Sequence, residues 1–244
     1  MSSRSLAQRW VRAALLVALL VIAAGAGYCH FLGYPAGPIY SRVPASASSA
    51  RQDGTVTLFF SGDLGFNTGM GPRIARHIAA VGIPVLGVNS LSAFARRRSP
   101  QETRALVRQA IGRALAEPGA RRLVVIGQSF GADVLLTGLA DLPPADRQRI
   151  VLAALIVPQD TLSFRATPGG VFNVGNDGPA LPTAQRFDWA PALCIQGESE
   201  PESLCPVWSA SARNVTRIAL PGGHFLNDDV GKVSAVILQA IDGH

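Results

Sequence analysis

The sequence predicts an α/β fold, with a mostly parallel sheet covered by helices on both faces. From Thr55 onward, short apolar runs alternate with amphipathic segments of helical periodicity. The apolar runs are nearly continuous, as in strands that are buried on both faces. The 244 residues are 48% hydrophobic and 16% charged, which suits a sizeable core and excludes a disordered chain.

Each element has its own signal. The predicted strands cover 55–60, 83–88, 121–127, 149–157, 190–196 and 215–220, and the predicted helices cover 71–82, 99–119, 130–142 and 228–241. The second helix has the clearest start, since Ser99 is placed as its N-cap, Pro100 at its first position and Glu102 at the capping-box position. The loop-rich interval 158–189 is interpreted either as a cap over a site or as a surface insertion.

The N-terminus has the pattern of an export signal. Three arginines precede an apolar run over 13–27, which extends to Leu32 if three less apolar residues are tolerated. Ala24 and Ala26 also fit a cleavage site, so a signal peptide and an uncleaved anchor both remain open, and we favour the anchor. The predicted organisation is therefore an anchor over 1–33, a Pro/Ser/Ala-rich linker over 34–54 and a periplasmic domain over 55–244, associated with the inner membrane.

The chain is basic, with a net charge of +6 that comes almost entirely from arginine. Such a charge favours phosphate-bearing partners, although compositional bias also explains it. The sequence has no zinc-finger spacing, RNP-like strand or basic-aromatic run, so nucleic acid is not predicted as a partner. The inner membrane is the expected partner, and the sequence gives no oligomeric state.

Two cysteines, Cys194 and Cys205, stand at the ends of a short polar segment, CIQGESEPESLC. In an oxidising compartment they are expected to form a disulfide, with two separate thiols as the alternative. Two cysteines alone make a poor metal site, and no metal or cofactor is predicted.

The segment VVIGQSFGADV, residues 124–134, places Ser129 between Gly127 and Gly131. The pattern G-x-S-x-G occurs by chance, but here it follows an apolar strand and precedes a helix. This is the context of a nucleophile elbow, a tight turn in which the glycines let the strand and the helix approach each other. The sequence therefore predicts Ser129 as a nucleophile.

A serine nucleophile needs a base, and His224 is the best placed of the four histidines. It follows the sixth strand in the segment LPGGHF, whereas the others lie near the membrane segment, within a helix or at the last residue. An acid should lie between Ser129 and His224 in the chain. Glu200 is our choice because a G-x-x-acid turn after that strand is usual in this architecture, and Glu202 is the alternative.

An oxyanion hole needs two backbone N–H groups. Phe130, which follows the nucleophile, is expected to supply one of them. The loop after the first strand, SGDLGF, is expected to supply the other from Asp63 or Leu64. The alternative for this loop is an ordinary turn between strand and helix.

At this point the chain resembles the VirJ/AcvB family of bacterial exported proteins over roughly residues 55–240. The resemblance rests on LFFSGDLGF, GIPVLGVNSLSAF, SPQETR, VVIGQSFGADVLL, LCIQGESEPESLCP and LPGGHF, in that order. It implies the α/β-hydrolase fold and an activity similar to that of aminoacyl-phosphatidylglycerol hydrolases, which remove lysine or alanine from the lipid headgroup. It also implies that Ser129 is the nucleophile and His224 the base.

The function hypothesis is a serine esterase that acts on the aminoacyl ester of aminoacylated phosphatidylglycerol, a membrane phospholipid substrate. Because this ester carries an ammonium group, a carboxylate near the oxyanion region should assist binding, and Asp63 and Asp133 are the candidates. For Asp133 a structural ion pair or hydrogen bond is the alternative. Two other functions are carried forward: an exported carboxylesterase or lipase of other specificity, and a non-catalytic periplasmic binding factor linked to secretion.

Overall fold

The computed structural model of the protein describes residues 3–46, 51, 53–171 and 175–243. Parts of two interpreted segments, residues 47–50 and 52 of the linker and 172–174 of the loop-rich interval, lie outside the described residues.

Seven strands form one sheet in the order β1-β3-β2-β4-β5-β6-β7. They are β1 (Tyr40–Val43), β2 (Thr55–Phe60), β3 (Val85–Val88), β4 (Arg122–Gln128), β5 (Ile150–Ile156), β6 (Ala192–Gly197) and β7 (Val215–Leu220). All pairs are parallel except β1 with β3. The predicted fold class, a mostly parallel sheet in an α/β-hydrolase arrangement, is confirmed.

The first strand corrects the interpretation of residues 34–54 as a linker. Tyr40–Val43 pair antiparallel with Val85–Val88 and form one edge of the sheet. The sequence signal was weak because this strand has four residues and lies within a Pro- and Ser-rich stretch. The folded unit therefore begins before Thr55.

Helices cover both faces of the sheet. They are α1 (Ser3–Leu32), α2 (Met70–Ala80), α3 (Ser90–Ala93), α4 (Pro100–Leu115), α5 (Phe130–Ala140), α6 (Pro144–Arg147), α7 (Leu181–Ala184), α8 (Cys205–Ser211) and α9 (Val230–Asp242). The helices α4 and α5 pack on one face, and α2 and α9 pack on the other. Side chains of β4 alternate between the two cores: Val125 faces the first, and Val124 and Ile126 face the second.

The start of α4 agrees with the sequence. The Ser99 hydroxyl accepts a hydrogen bond from the Glu102 backbone N–H, and the Glu102 carboxylate accepts one from the Ser99 N–H at 2.8 Å. This reciprocal pair satisfies two of the backbone donors that a helix leaves free at its first turn.

The N-terminal helix contains a candidate membrane span of 25 residues, Gln8–Leu32, whose most apolar part has a mean hydropathy of 2.2. By length and composition it is sufficient to cross a membrane, which fits an export signal or an anchor. Its last residue, Leu32, is buried in the core of the domain. The helix thus ends against the folded unit.

Candidate active site

Ser129 lies at a tight turn between β4 and α5. Its backbone has φ 51° and ψ −126°, a conformation that L-residues adopt only when the surrounding structure imposes it. Gly131 is required at this turn because a β-carbon there would lie 2.2 Å from the backbone oxygen of Ser61. Gly127 has the same role, since its β-carbon would lie 2.6 Å from Ala132 Cα.

The structure brings the serine and the histidine together. Ser129 Oγ lies 2.8 Å from His224 Nε2, although the two residues are 95 positions apart in the chain. His224 Nδ1 lies 2.5 Å from Glu200 Oε1. A carboxylate at Nδ1 favours the tautomer with its proton on that nitrogen, so Nε2 is left to accept the hydroxyl proton.

Glu200 is fixed on both of its oxygens. While Oε1 faces the imidazole, Oε2 accepts a hydrogen bond from the Gly197 N–H at 3.1 Å. The side chain is 5% exposed. Glu202, the alternative acid, has an exposed side chain, so the geometry selects Glu200 as the partner of His224.

The loop that carries Glu200, residues 198–204, is called the acid loop below. Cys194 in β6 and Cys205 at the start of α8 form a disulfide across it, as expected from the sequence. Both cysteines are fully buried. The bond closes a loop of 11 residues and ties the acid loop to the central sheet.

The loop between β2 and α2, residues 61–67, is called the oxyanion loop below. A β-carbon on Gly62 would lie 3.6 Å from Ser129 Cβ, so the loop passes directly beside the serine. Asp63 and Leu64, the two predicted N–H donors, follow Gly62. Phe130 begins α5, where the N–H groups of the first turn have no acceptor within the helix. Their role in an oxyanion hole remains a prediction.

Asp63, in the oxyanion loop beside Ser129, is partly exposed. Burial raises the pKa of the Asp63 carboxyl, and the neighbouring imidazole opposes part of that rise. Asp63 can therefore be reached from solvent, although its carboxyl group has lost part of its contact with water.

Asp133 is not placed to bind substrate, and the prediction of that role is corrected. The residue lies in the first turn of α5 and is 2% exposed. Its Oδ1 accepts a hydrogen bond from the Gln159 N–H at 3.2 Å, and its Oδ2 has no partner among the described residues. Burial raises the pKa of Asp133 well above its usual range, despite the Gln159 hydrogen bond, and the charges of Asp160 and Glu200 add to the rise.

The loop-rich interval 158–189 lies over this edge of the sheet. The Gly169 N–H donates to the Asp63 backbone oxygen at 3.3 Å, and the Asp160 N–H donates to the Glu202 backbone oxygen at 2.8 Å. The interval thus touches both the oxyanion loop and the acid loop. These contacts are compatible with the cap interpretation, which stays a prediction.

Sequence reasoning missed Asn89, which follows β3. Its side-chain N–H donates to the Leu32 backbone oxygen at 2.9 Å, and its oxygen accepts from the Ser92 N–H. A β-carbon on Gly65 would lie 2.9 Å from that oxygen, so Asn89 supports the oxyanion loop. An asparagine between a strand and a short helix is a cap signal that could have identified it.

A cavity of about 700 Å³ lies elsewhere, at the opposite edge of the sheet. Its lining includes Ala192 and Thr216, which stand at the amino ends of β6 and β7. The chemistry-bearing side chains converge instead at the carboxyl ends of the strands, where ligands bind in open α/β sheets. Within the described ranges, no three His, Cys, Asp or Glu residues cluster as metal ligands.

Solved structures of similar fold include three bacterial proteins. Est1E from Butyrivibrio proteoclasticus aligns at 11% identity with a TM-score of 0.62, over 83% of this chain and 94% of that chain. A lipase-esterase related protein from Clostridium acetobutylicum aligns at 10% identity with a TM-score of 0.58, over 83% and 99%. The esterase domain of a Rhodothermus marinus protein aligns at 17% identity with a TM-score of 0.53, over 80% and 88%. At these identities the likeness establishes the fold alone.

No curated protein matches the chain. The family model of the bacterial virulence protein VirJ matches residues 54–244, which include the serine, the histidine, the acid loop and the disulfide. The match agrees with the motifs that carried the resemblance in the sequence. This chain belongs to the VirJ family.

Proposed function

We propose that the protein is a serine esterase that hydrolyses the aminoacyl ester of aminoacylated phosphatidylglycerol at the periplasmic face of the inner membrane. The observation that carries ester hydrolysis is the hydrogen-bonded series Ser129–His224–Glu200. Two of the structures with similar folds are named for esterase activity, which is consistent with an ester substrate.

In the proposed reaction Ser129 Oγ attacks the ester carbonyl while His224 Nε2 takes the hydroxyl proton. The imidazole becomes positively charged, and Glu200 stabilises that charge because it is buried against Nδ1. The Gly197 N–H keeps the carboxylate in place. The serine needs this base because a neutral hydroxyl is a weak nucleophile.

The negative charge that develops on the carbonyl oxygen needs donors that are already in position. The N–H of Phe130 and an N–H from Asp63 or Leu64 are the donors in this proposal, since the oxyanion loop lies against Ser129. The amino end of α5 adds a favourable dipole. Removing one such donor typically slows an enzyme by about 10²- to 10³-fold.

The tetrahedral intermediate then collapses. The bond to the glycerol oxygen breaks, His224 returns the proton to that oxygen, and phosphatidylglycerol leaves. A water molecule, deprotonated by the same imidazole, attacks the acyl-serine and releases the free amino acid. In total, one ester and one water molecule give one alcohol and one carboxylic acid.

Asp63 is the residue that we assign to the amino acid. An aminoacyl ester carries its α-ammonium one carbon from the reacting carbonyl, so a carboxylate beside the oxyanion donors would contact it. Burial has raised the pKa of Asp63, and a bound ammonium ion would lower it again by favouring the charged form. Each group would thereby stabilise the other.

The membrane location rests on two features. The stretch Gln8–Leu32 is long and apolar enough to span a bilayer, and a disulfide suits an exported domain. We assign the span as an uncleaved anchor with a cytoplasmic N-terminus. The enzyme would then meet its lipid substrate on the outer surface of the inner membrane.

The decisive experiment is incubation of the purified full chain with vesicles that contain lysyl- or alanyl-phosphatidylglycerol, followed by analysis of lipid and free amino acid. Ser129→Ala should abolish release and Asp63→Asn should raise KM, whereas Ser209→Ala, on the surface helix α8, should change neither. Release of fatty acid instead of amino acid would indicate a lipase. Absence of any turnover, together with no labelling of Ser129 by a fluorophosphonate, would indicate a binding factor.

A further inference from the structure

The folded unit exposes few large apolar side chains, and the two most exposed lie beside the candidate site. Outside α1, the described residues of this kind are Val81, Val171, Val207 and Phe225. Val171 is 73% exposed and Phe225 is 75% exposed. Single exposed apolar side chains are common on soluble domains, so the observation that matters is that these two lie beside one site.

Phe225 directly follows the catalytic histidine. Its ring meets the His224 ring edge-on, with 5.8 Å between the centroids. Val171 follows the turn at 168–170, whose Gly169 N–H is bonded to the Asp63 backbone oxygen. The two side chains therefore border the site from two separate segments of the chain.

The apolar N-terminal helix ends at the same place. The Asn67 side chain of the oxyanion loop donates to the Phe31 backbone oxygen at 2.5 Å, and Asn89 donates to the Leu32 oxygen. The Phe31 side chain is exposed. These bonds fix the end of the helix against the loop that carries Asp63.

A helix that spans a bilayer leaves it close to its last apolar residues. Because Phe31 and Leu32 are those residues, the oxyanion loop lies at the depth of the lipid headgroups when the helix is inserted. Phe225 and Val171 then lie near the same surface, where aromatic and aliphatic groups leave water by entering the lipid boundary. Beyond the helix, 19 Lys and Arg against 16 Asp and Glu leave a net charge of +3, which favours anionic lipid.

We propose that Phe31, Val171 and Phe225 form an apolar rim that docks the domain on a bilayer containing anionic phospholipid, with the candidate site opening toward the lipid. The proposal rests on the membrane location in the proposed function, but not on the identity of the ester. A docked site receives a lipid headgroup directly from the membrane, so the substrate need not cross water.

The test places a tryptophan on the rim and asks whether it contacts lipid. The full chain, with Trp10→Phe to remove the tryptophan of the span, is reconstituted in vesicles of phosphatidylethanolamine and phosphatidylglycerol, with and without acyl-brominated phosphatidylcholine. Phe225→Trp and Val171→Trp are compared with Val207→Trp in α8, where the native valine is 48% exposed. The remaining tryptophans, Trp189 and Trp208, form a common background.

Bromolipid should quench the added fluorescence at positions 225 and 171 and leave that at position 207 unchanged. Equal quenching at all three positions, or none at 225 and 171, would overturn the proposal. Because this readout needs no turnover, quenching without aminoacyl-lipid hydrolysis would refute the proposed function and keep the docking surface.

A second measurement covers the case in which a tryptophan disturbs the fold. Val171→Asp should lower the ratio of vesicle-lipid turnover to turnover of a water-soluble ester by about tenfold, because a charge at this position opposes entry into the lipid boundary. Val207→Asp should leave that ratio unchanged. An unchanged ratio for Val171→Asp would count against the apolar rim even where the quenching is ambiguous.

Discussion

The acid loop and the oxyanion loop lie on opposite sides of Ser129 and are held in different ways. The acid loop is closed by the Cys194–Cys205 disulfide, and its Glu200 bonds to a backbone N–H only three residues away. The oxyanion loop is supported by groups that lie elsewhere in the chain, including Asn89 and Gly169. Both loops bond to distant segments, as the Asp160 N–H does to the Glu202 backbone oxygen, but only the acid loop also has a covalent constraint.

This difference indicates which parts of the site depend on the rest of the molecule. The acid loop depends on the β6–β7 region and on the start of the 158–189 interval, where the Leu204 N–H donates to the Pro158 backbone oxygen at 3.0 Å. The oxyanion loop also depends on the end of α1 and on the 158–189 interval, which both bond to its residues. The 158–189 interval therefore contacts both sides of the site, whereas the end of α1 bonds to the oxyanion loop.

Removing the acid should have the largest effect. Glu200→Gln should lower kcat by about 10³- to 10⁴-fold, because an amide neither holds the imidazole in the required tautomer nor stabilises its charge. The measurement is steady-state turnover of the aminoacyl lipid with the full chain. Protein folding, checked by circular dichroism, should remain near that of the parent.

Glu202→Gln is the matched control, since Glu202 lies in the same loop with an exposed side chain. It should keep activity within about twofold of the parent, as expected for a surface change away from the reacting atoms. Equal losses in the two variants would mean that loop charge, and not the carboxylate at His224, determines the rate.

Much of the site could be predicted from local sequence. Gly127 is a local requirement, because a β-carbon there would lie 2.6 Å from Ala132 Cα within the same turn. His224 could be found because it follows a strand at the edge of the sheet where ligands gather. The cap of α4 at Ser99 is also encoded within four residues.

Other features depend on contacts between distant segments and could not be predicted. Asp133 has the sequence setting of a site residue, but packing of α5 under the 158–189 interval buries it. The strand at Tyr40–Val43 exists only through its pairing with β3. Between Glu200 and Glu202 the sequence offered only a turn pattern, and the fold of the acid loop is what puts Glu200 against His224.

Opening the disulfide should have the next largest effect and should act on stability more than on chemistry. Replacing both Cys194 and Cys205 with serine should reduce the free energy of unfolding by about 2–3 kcal/mol, as expected for a loop of this length. The measurement is denaturant unfolding of the full chain in detergent. Activity of the folded fraction should fall less than tenfold.

Cys29→Ser is the control, because Cys29 is a free cysteine in α1. It should leave the midpoint of unfolding unchanged. A double variant as stable as the parent would show that the hydrogen bonds of the acid loop suffice without the covalent bond.

Removing Asn89 should weaken the oxyanion side. Asn89→Ala loses a buried hydrogen bond to Leu32 and the cap of α3, and should reduce the free energy of unfolding by about 1–2 kcal/mol. The kcat of the folded variant should also fall, because the Asn89 side chain no longer packs beside the Gly65 backbone of the oxyanion loop. Asn67→Ala, at an exposed hydrogen bond to Phe31, should have a smaller effect on unfolding. An unchanged kcat in folded Asn89→Ala would show that the oxyanion loop keeps its conformation without the Asn89 side chain.

The last effect concerns Asp133 in the first turn of α5, whose pKa is raised mainly by burial and also by the charges of Asp160 and Glu200. Its pKa is raised in the folded protein, so the folded state binds this proton more tightly than the unfolded chain does. This tighter binding contributes to the free energy of unfolding. The contribution is complete below the ordinary pKa of 3.8 and is lost as pH rises through the raised pKa of the folded protein. Asp133→Asn keeps the acceptor for the Gln159 N–H and removes the titration.

The variant should therefore gain stability relative to the parent as pH rises above 3.8. The measurement is the difference in Tm between the two proteins at several pH values, in the same detergent. Asp188→Asn, at an exposed side chain of the 158–189 interval, is the control for the general effect of an Asp-to-Asn change. A difference in Tm that does not change with pH would mean that Asp133 has the same protonation state in the folded and unfolded chains. Burial of the Asp133 carboxyl would then carry no electrostatic cost for folding.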